Sequence, residues 1–348
     1  MKALEELVRK NIMALKPYSS ARNEYSGHVA HVFLDANENP YNAPYNRYPD
    51  PLQNEVKELL SKIKAVPTEC IFLGNGSDEA IDLVYRIFCQ PQKDNVVAIS
   101  PSYGMYQVAA QTNDIEVRNV PLEADFSLDS AKLLAAADAC TKAIFLCSPN
   151  NPSGNAFPVE QILDIVERFD GLVVLDEAYA DFSSIPSLAK EACTRGNLIV
   201  LQTLSKARGM AALRLGMAFS TPRVIELMSM VKYPYNINQA AQSLVLKQLE
   251  ESVETQVEEI KAERALAYDR LAAYPFISKV FPSEANFLLV RTADADALYD
   301  HLIADGIIVR NRNRIAGCEG CLRITIGTPE ENRKLYKSLE TYEEGNIR

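Results

Sequence analysis

The sequence predicts an α/β protein, with a large domain on a mostly parallel central sheet followed by a smaller α/β domain. Three observations carry that prediction. Between about residues 70 and 220, short apolar runs alternate with stretches of helical spacing: IFLG at 71, VVAIS at 96, AIFLC at 143, LVVLD at 172, LIVLQ at 198 and LGMAF at 215. Runs that are apolar throughout belong to strands buried on both faces, and such strands are typically parallel and joined by helices. Residues 236 to 273 are charge-rich, contain no Pro or Gly, and read as one or two helices leaving the large domain. After Pro275 a second α/β pattern follows: NFLLV at 286, a helix near 294–304, a short run at 307–309, CLRITIG and a C-terminal helix. The expected division is an arm over residues 1–30 packing with the small domain or a dimer partner, a large domain over 31–250 and a small domain over 251–348.

Composition agrees with that plan and excludes several function classes. With 348 residues, 47% of them hydrophobic, the chain can bury one large core and a smaller second one. A net charge of -10 with no run of Lys or Arg argues against a nucleic-acid partner. The start, MKALEELVRKNIMALKPY, reads as a short amphipathic helix without the apolar core or cleavage site of a signal peptide. No apolar stretch approaches membrane-spanning length, so no membrane partner is expected. Seven scattered cysteines, an odd number, point to reduced thiols and a cytoplasmic setting. Cys318 and Cys321 form a CxxC, but the second pair of a zinc ribbon is missing and Cys321 leads straight into an apolar run; the pair reads as structural. The three histidines, His28, His31 and His301, are too sparse for a histidine metal site, so no metal is expected.

In parallel sheets ligands bind beyond the carboxyl ends of the strands, and the polar motifs fall there. LIVLQTLSKARGMAALRLG places Lys206 between an apolar strand and an Ala/Met/Leu-rich stretch. A lysine there is either a solvated surface charge or a desolvated amine with a lowered pKa, able to attack an aldehyde. Thr203, Ser205 and Arg214 beside it are donors suited to a phosphate. Asp176 ends LVVLD, with Tyr179 three residues on. That aspartate is either a helix N-cap or the partner of a protonated ring nitrogen. CSPNNPSG makes a tight turn after AIFLC; the turn is structural, or Asn151 in it hydrogen-bonds a ring oxygen. FLGNGSDEAID reads as strand, turn and helix start, where Ser77, Asp78 and Glu79 either cap the helix or border an anion site at its N-terminus. Tyr103 of PSYGMY, at another strand end, either packs or stacks on a flat ring. Together these residues form the inventory that pyridoxal 5'-phosphate (PLP) demands.

The chain resembles the fold-type I PLP-dependent aminotransferases, and within them the histidinol-phosphate aminotransferase family. The resemblance runs from KPYSSAR to LRITIGTPEEN through LDANENP, NRYPDP, GNGSDEAID, PSYGMY, CSPNNPSGN, LDEAY and TLSKARGMAALRLG, in order and at family spacing. It implies a large PLP-binding domain in which Lys206 holds the cofactor as a Schiff base and then shuttles the proton. Asp176 would bind the pyridine nitrogen, Asn151 and Tyr179 the phenolic oxygen, and Tyr103 would cover the ring. Ser77, Asp78, Thr203, Ser205 and Arg214 would surround the phosphate. Tyr48 of the partner subunit would reach it too, which implies a homodimer with shared active sites. Tyr18, Asn37, Tyr235, Arg310 and Arg323 match the substrate side, with Arg323 gripping an α-carboxylate. The implied small-molecule substrates are histidinol phosphate and glutamate or 2-oxoglutarate. Arg208-Gly209-Met210 departs from the Phe, Gly or Ala combinations common at that place, without changing the Lys206–Arg214 spacing.

Rival readings of the same architecture are a threonine-phosphate decarboxylase and an aromatic amino-acid aminotransferase. A PLP-binding regulatory module would need a helix-turn-helix domain, for which the thirty or so residues expected ahead of the first strand are too few. A Rossmann dehydrogenase would need a glycine fingerprint that GNGSDEA lacks.

Overall fold

The computed structural model describes residues 2–16 and 32–346. Seven strands form the large sheet: β1 (Ile71–Asn75), β2 (Asn95–Ser100), β3 (Glu116–Pro121), β4 (Thr141–Cys147), β5 (Leu172–Asp176), β6 (Leu198–Thr203) and β7 (Leu215–Phe219), in the order β1-β7-β6-β5-β4-β2-β3. All six apolar runs form strands. The first begins only at Ile71, so far more than thirty residues precede it. β3 is an addition. It lies on the sheet edge, mostly open to solvent, and its sequence EVRNVP carries no apolar run.

Strand residues divide between two faces with period two. On β5 and β6, Val173, Leu175, Leu198 and Val200 enter one core, while Leu172, Val174, Ile199 and Leu201 enter the other. Helices Asn54–Lys64, Val159–Arg168 and Gln239–Leu249 cover the first face. Helices Ser77–Phe88, Met105–Thr112 and Pro222–Val231 cover the second. Each fully buried Val, Leu or Ile contributes roughly 1.5–3 kcal/mol, so this double layer is the main store of stability. The short helices Leu4–Leu7 and Lys10–Met13 also lie on the second face, through Leu7, Val8 and Ile12. The described start of the arm thus packs on the large sheet and not on the small one.

Every paired neighbour among β2 to β6 is parallel, and β7 alone runs against them. β6 reaches β7 through a direct loop, Leu204 to Arg214, without a crossover helix, and a loop that short can join only antiparallel strands. It therefore sits at the carboxyl edge of the sheet and carries Lys206 and Arg214 there. The strand order reverses between β2 and β4, which opens a crevice beyond their carboxyl ends.

The 236–273 stretch forms two helices. Gln239–Leu249 packs by Ala241, Val245 and Leu249 on the large core, and Glu254–Ala272 packs by Ala267 and Leu271 on a second core. That second core belongs to an antiparallel sheet ordered β10-β11-β9-β8, with β8 (Ile277–Val280), β9 (Phe287–Thr292), β10 (Arg310–Asn311) and β11 (Cys321–Thr325). Helices Ala295–Ala304 and Pro329–Asn346 complete it. Cys318 and Cys321 are both fully buried against Phe126, Phe281 and Leu289, and burial pushes the Cys318 thiol up to about 12. Arg208 has a visible reason: its guanidinium donates to the Glu251 carbonyl at 2.8 Å, tying the lysine loop to the junction between the two helices. Among the described residues no helix is long and apolar enough to cross a membrane.

Candidate active site

The loops at the carboxyl edge of the large sheet and one side of the small sheet enclose a cavity of about 710 Å³. Its floor is Asp176, the last residue of β5 and 2% exposed. One carboxylate oxygen accepts the Tyr106 hydroxyl at 2.8 Å and the other accepts the Ala178 amide at 3.0 Å. Burial dominates even so and raises its pKa to about 6, with the two hydrogen bonds pulling the other way. A buried carboxylate that costs this much invites a cation opposite it.

Around the floor stand the other residues singled out from sequence. Tyr103 forms a wall and donates to Asp78 at 3.0 Å; Asp78 lies 3.6 Å from the Arg214 guanidinium. Ser77 and Asp78 begin the helix Ser77–Phe88, whose N-cap, Gly76, supplies no side-chain cap. Its first amides are thus open to an anion. Gly76 has φ +80°, and a Cβ there would meet the Arg214 guanidinium at 2.7 Å. A Cβ on Gly216 of β7 would meet the Ser77 nitrogen at 2.1 Å. Two glycines therefore let strand, helix start and arginine close into one cup. Thr203 and Ser205 complete it, their hydroxyls 3.0 Å apart.

Lys206 reaches into the cavity with its ammonium 5.6 Å from the centre of the Tyr179 ring. Burial lowers its pKa, and the charge of Arg323 lowers it further. Tyr179, 6% exposed, packs edge-on against Phe287 of β9 at 5.2 Å. Asn151 accepts a hydrogen bond from Arg323 of β11. The CSPNNPSG turn is held by its other asparagine: Asn150 donates to the Pro101 carbonyl at 3.0 Å and accepts from Ser102 at 2.9 Å. That clasp fastens the loops after β2 and β4 to each other at the strand-order switch. Arg310 lies opposite Arg323 in the β10–β11 ladder, and both line the cavity.

Not every expected residue comes to this place. Glu79 does not line the cavity: its carboxylate turns away to accept the Asn75 amide and, at 3.0 Å, the Asn236 side chain. A helical step of about 100° separates it from Asp78, which a strand-and-turn reading cannot resolve. Tyr48 stacks on Tyr235 of its own chain, centroids 4.4 Å apart and planes 17° apart. Tyr48 and Asn37 line a separate open cavity of about 460 Å³. Tyr18 lies outside the described residues. Sequence reasoning overlooked Tyr106 and Arg312. Tyr106 follows Tyr103 by three residues, a helical spacing, and Arg312 follows Arg310 by two, a strand spacing.

The donor set suits pyridoxal phosphate. An anion fits the cup, a protonated ring nitrogen fits the buried Asp176, and an aldehyde fits Lys206. Comparison with known proteins agrees. The profile of the family described as aminotransferase class I and II matches residues 21–339, and the chain belongs to that family. Its relatives include the histidinol-phosphate aminotransferases of Bacteroides fragilis, 55% identical over 99% of this chain and 100% of that one, and of Parabacteroides distasonis, 56% identical over 98% and 99%. The histidinol-phosphate aminotransferase structure from Clostridium acetobutylicum shares the fold, with TM-score 0.80 at 23% identity over 86% of this chain and 92% of that one. So does an L-threonine-O-3-phosphate decarboxylase from Porphyromonas gingivalis, with TM-score 0.73 at 23% identity over 86% and 91%.

Proposed function

We propose that this chain catalyses PLP-dependent transamination of L-histidinol phosphate with 2-oxoglutarate, giving imidazole-acetol phosphate and glutamate, a step of histidine biosynthesis. One observation carries the reading: in a chain 55% identical to a histidinol-phosphate aminotransferase over 99% of its length, a PLP-type cup, acid and lysine face a wall of guanidiniums that, among the described residues, pair with no carboxylate and so suit anionic substrates. When bound, pyridoxal phosphate supplies an electron sink for the pair left on the substrate carbon.

The chain's own residues do the rest. The Ser77 and Asp78 amides, Thr203, Ser205 and Arg214 would hold the cofactor phosphate; Tyr103 would pack on the ring, and Asn151 and Tyr179 would hold its phenolic oxygen. Asp176 would keep the ring nitrogen protonated, and that charge would in turn relieve the burial that raises its own pKa. Lys206 anchors the aldehyde carbon. Its lowered pKa would make a neutral amine available to take the proton from the substrate carbon. Arg323 grips the α-carboxylate of glutamate. Arg310 takes the phosphate or the far carboxylate.

The working form is a cytoplasmic homodimer in which Tyr48 of the partner subunit completes the cofactor cup. Support comes from the segment that carries Tyr48, where Leu34 is 92%, Tyr41 77% and Tyr45 79% exposed, since exposed apolar side chains in number mark contact surfaces. The test of function is product analysis with histidinol phosphate, phosphothreonine and phenylalanine, each with and without 2-oxoglutarate. Glutamate should form fastest with histidinol phosphate. Carbon dioxide from phosphothreonine, with no demand for 2-oxoglutarate, would overturn the reading.

A further inference from the structure

β10 and its continuation read Arg310-Asn311-Arg312-Asn313. In extended chain, alternate side chains point to opposite sides. The asparagines take one side, and both side-chain amides donate to the Asp296 carboxylate, at 2.6 and 3.0 Å. The arginines take the other, and both line the main cavity with Arg323. The backbone is pinned in that register: the Arg312 amide donates to the Cys321 carbonyl at 2.9 Å, and Asn313 accepts from Gly320 at 2.8 Å.

The three guanidiniums have little to hold. Among the described residues none pairs with a carboxylate, and the guanidiniums of Arg310 and Arg312 make no hydrogen bond. Arg323 has one hydrogen-bond partner, the neutral Asn151, and its guanidinium lies 5.2 Å from the centre of the Phe287 ring. The Nε atoms of Arg312 and Arg323 are buried with no partner. Burial and the charges of Arg323 and Arg310 push the Arg312 guanidinium down to about 10. Clustered cations without a counterion are costly in a folded protein unless a ligand brings the charge.

We propose that Arg312 is a substrate-binding residue of this site, the third guanidinium of a clamp that selects ligands with a doubly charged or second anionic group over singly charged ones. The inference rests on the substrate reading above and adds to it the residue that sets charge specificity. One carboxylate saturates one guanidinium fork; a phosphate monoester has acceptors for more, and so has the second carboxylate of glutamate.

The test compares the wild-type holoenzyme with Arg312→Gln and Arg312→Lys. It reads KM and kcat for histidinol phosphate and for glutamate, the Ki of inorganic phosphate as competitor, and turnover of histidinol without its phosphate. In Arg312→Gln, KM for the phosphorylated substrate and Ki for phosphate should rise about 10- to 100-fold, with kcat within about threefold and histidinol unaffected. Arg312→Lys should recover part of the loss. The ligand-free Arg312→Gln protein should melt no lower than wild type, because a repelled cation has been removed. An unchanged phosphate Ki, an equal loss on histidinol, or a lowered melting temperature would overturn the proposal and make Arg312 a structural prop. If wild type fails to transaminate histidinol phosphate, the substrate reading has failed, and the phosphate Ki still decides the role of Arg312.

Discussion

The two walls of the cavity are built on opposite plans. On the large-domain wall several polar side chains are already partnered: Asp176 with Tyr106 and Ala178, Tyr103 with Asp78, Thr203 with Ser205. On the small-domain wall, among the described residues, only one of three guanidiniums has a hydrogen-bond partner, the Asn151 amide oxygen held by Arg323. The first plan suits a group that stays, because a preorganised receptor need not rearrange to hold it. The second suits ligands that come and go, because each arrival supplies the missing charge and each departure restores the mutual repulsion. The wall that carries the chemistry is therefore expected to fail through turnover or folding when altered. The wall that recognises substrate should fail through KM.

The largest effect belongs to the first wall. Lys206→Ala removes both the anchoring amine and the proton carrier, and turnover should fall by at least about ten-thousand-fold. Glutamate formation measures it, and an unchanged melting temperature shows that the fold is kept. A variant retaining a tenth of wild-type turnover would take Lys206 out of the centre of the site. Next comes Gly216→Ala. The added Cβ would sit 2.1 Å from the Ser77 nitrogen and 2.3 Å from the Gly76 carbonyl carbon, both backbone atoms that cannot swing aside. Forcing the helix start off β7 should cost about 3 kcal/mol, read as a lower denaturation midpoint, together with weaker retention of pyridoxal phosphate.

Legibility in the sequence follows the same division. The place of the first wall was readable because most of its residues sit at or just past the end of an apolar run, and run ends of a parallel sheet share one edge: Asp176 closing LVVLD and Lys206 just past LIVLQT are two cases. The second wall was half readable. Arg323 lies within a strand-like run, but β10 is two residues long and leaves no periodic signature to mark Arg312. β3 was missed because its edge position removes the apolar pressure that marks the buried strands. Glu79 was drawn into the site because its neighbours belong there, although its face of the helix belongs elsewhere. The Tyr48–Tyr235 stack joins residues 187 positions apart, and no local pattern encodes that.

Asp176 gives the comparison a pH signature. Its pKa rises from 3.8 to about 6 in the ligand-free fold, chiefly by burial. The fold therefore favours the protonated acid, and ionising it costs stability. The cost is absent below about pH 4, grows between 4 and 6, and is complete above 6. Asp176→Asn keeps an acceptor for the Tyr106 hydroxyl and removes the charge. The ligand-free variant should be more stable than wild type at pH 7 by on the order of 2–3 kcal/mol, and the difference should vanish by about pH 4. The loaded enzyme should show the reverse, since the ring cation that offsets the carboxylate has lost its partner. A ligand-free variant less stable than wild type at pH 7 would mean that the two hydrogen bonds outweigh burial.

The smallest effect tests whether the second wall is positioned as described. Asp296 does not line the cavity, yet it holds Asn311 and Asn313 and so sets which way Arg310 and Arg312 face. Those two donors hold its carboxyl below the ordinary aspartate range, so the hook is intact at neutral pH and is lost as pH falls through the depressed pKa. Asp296→Ala should raise KM for histidinol phosphate by about fivefold, the worth of one ordinary hydrogen bond, and leave kcat unchanged. If the aspartate acts only through the register of the arginines, the same change in an Arg312→Gln background should cost much less than fivefold, because the residue it positions is gone. Two full, multiplicative losses would mean that Asp296 influences the site by another route, and the alternation of β10 would no longer explain the wall.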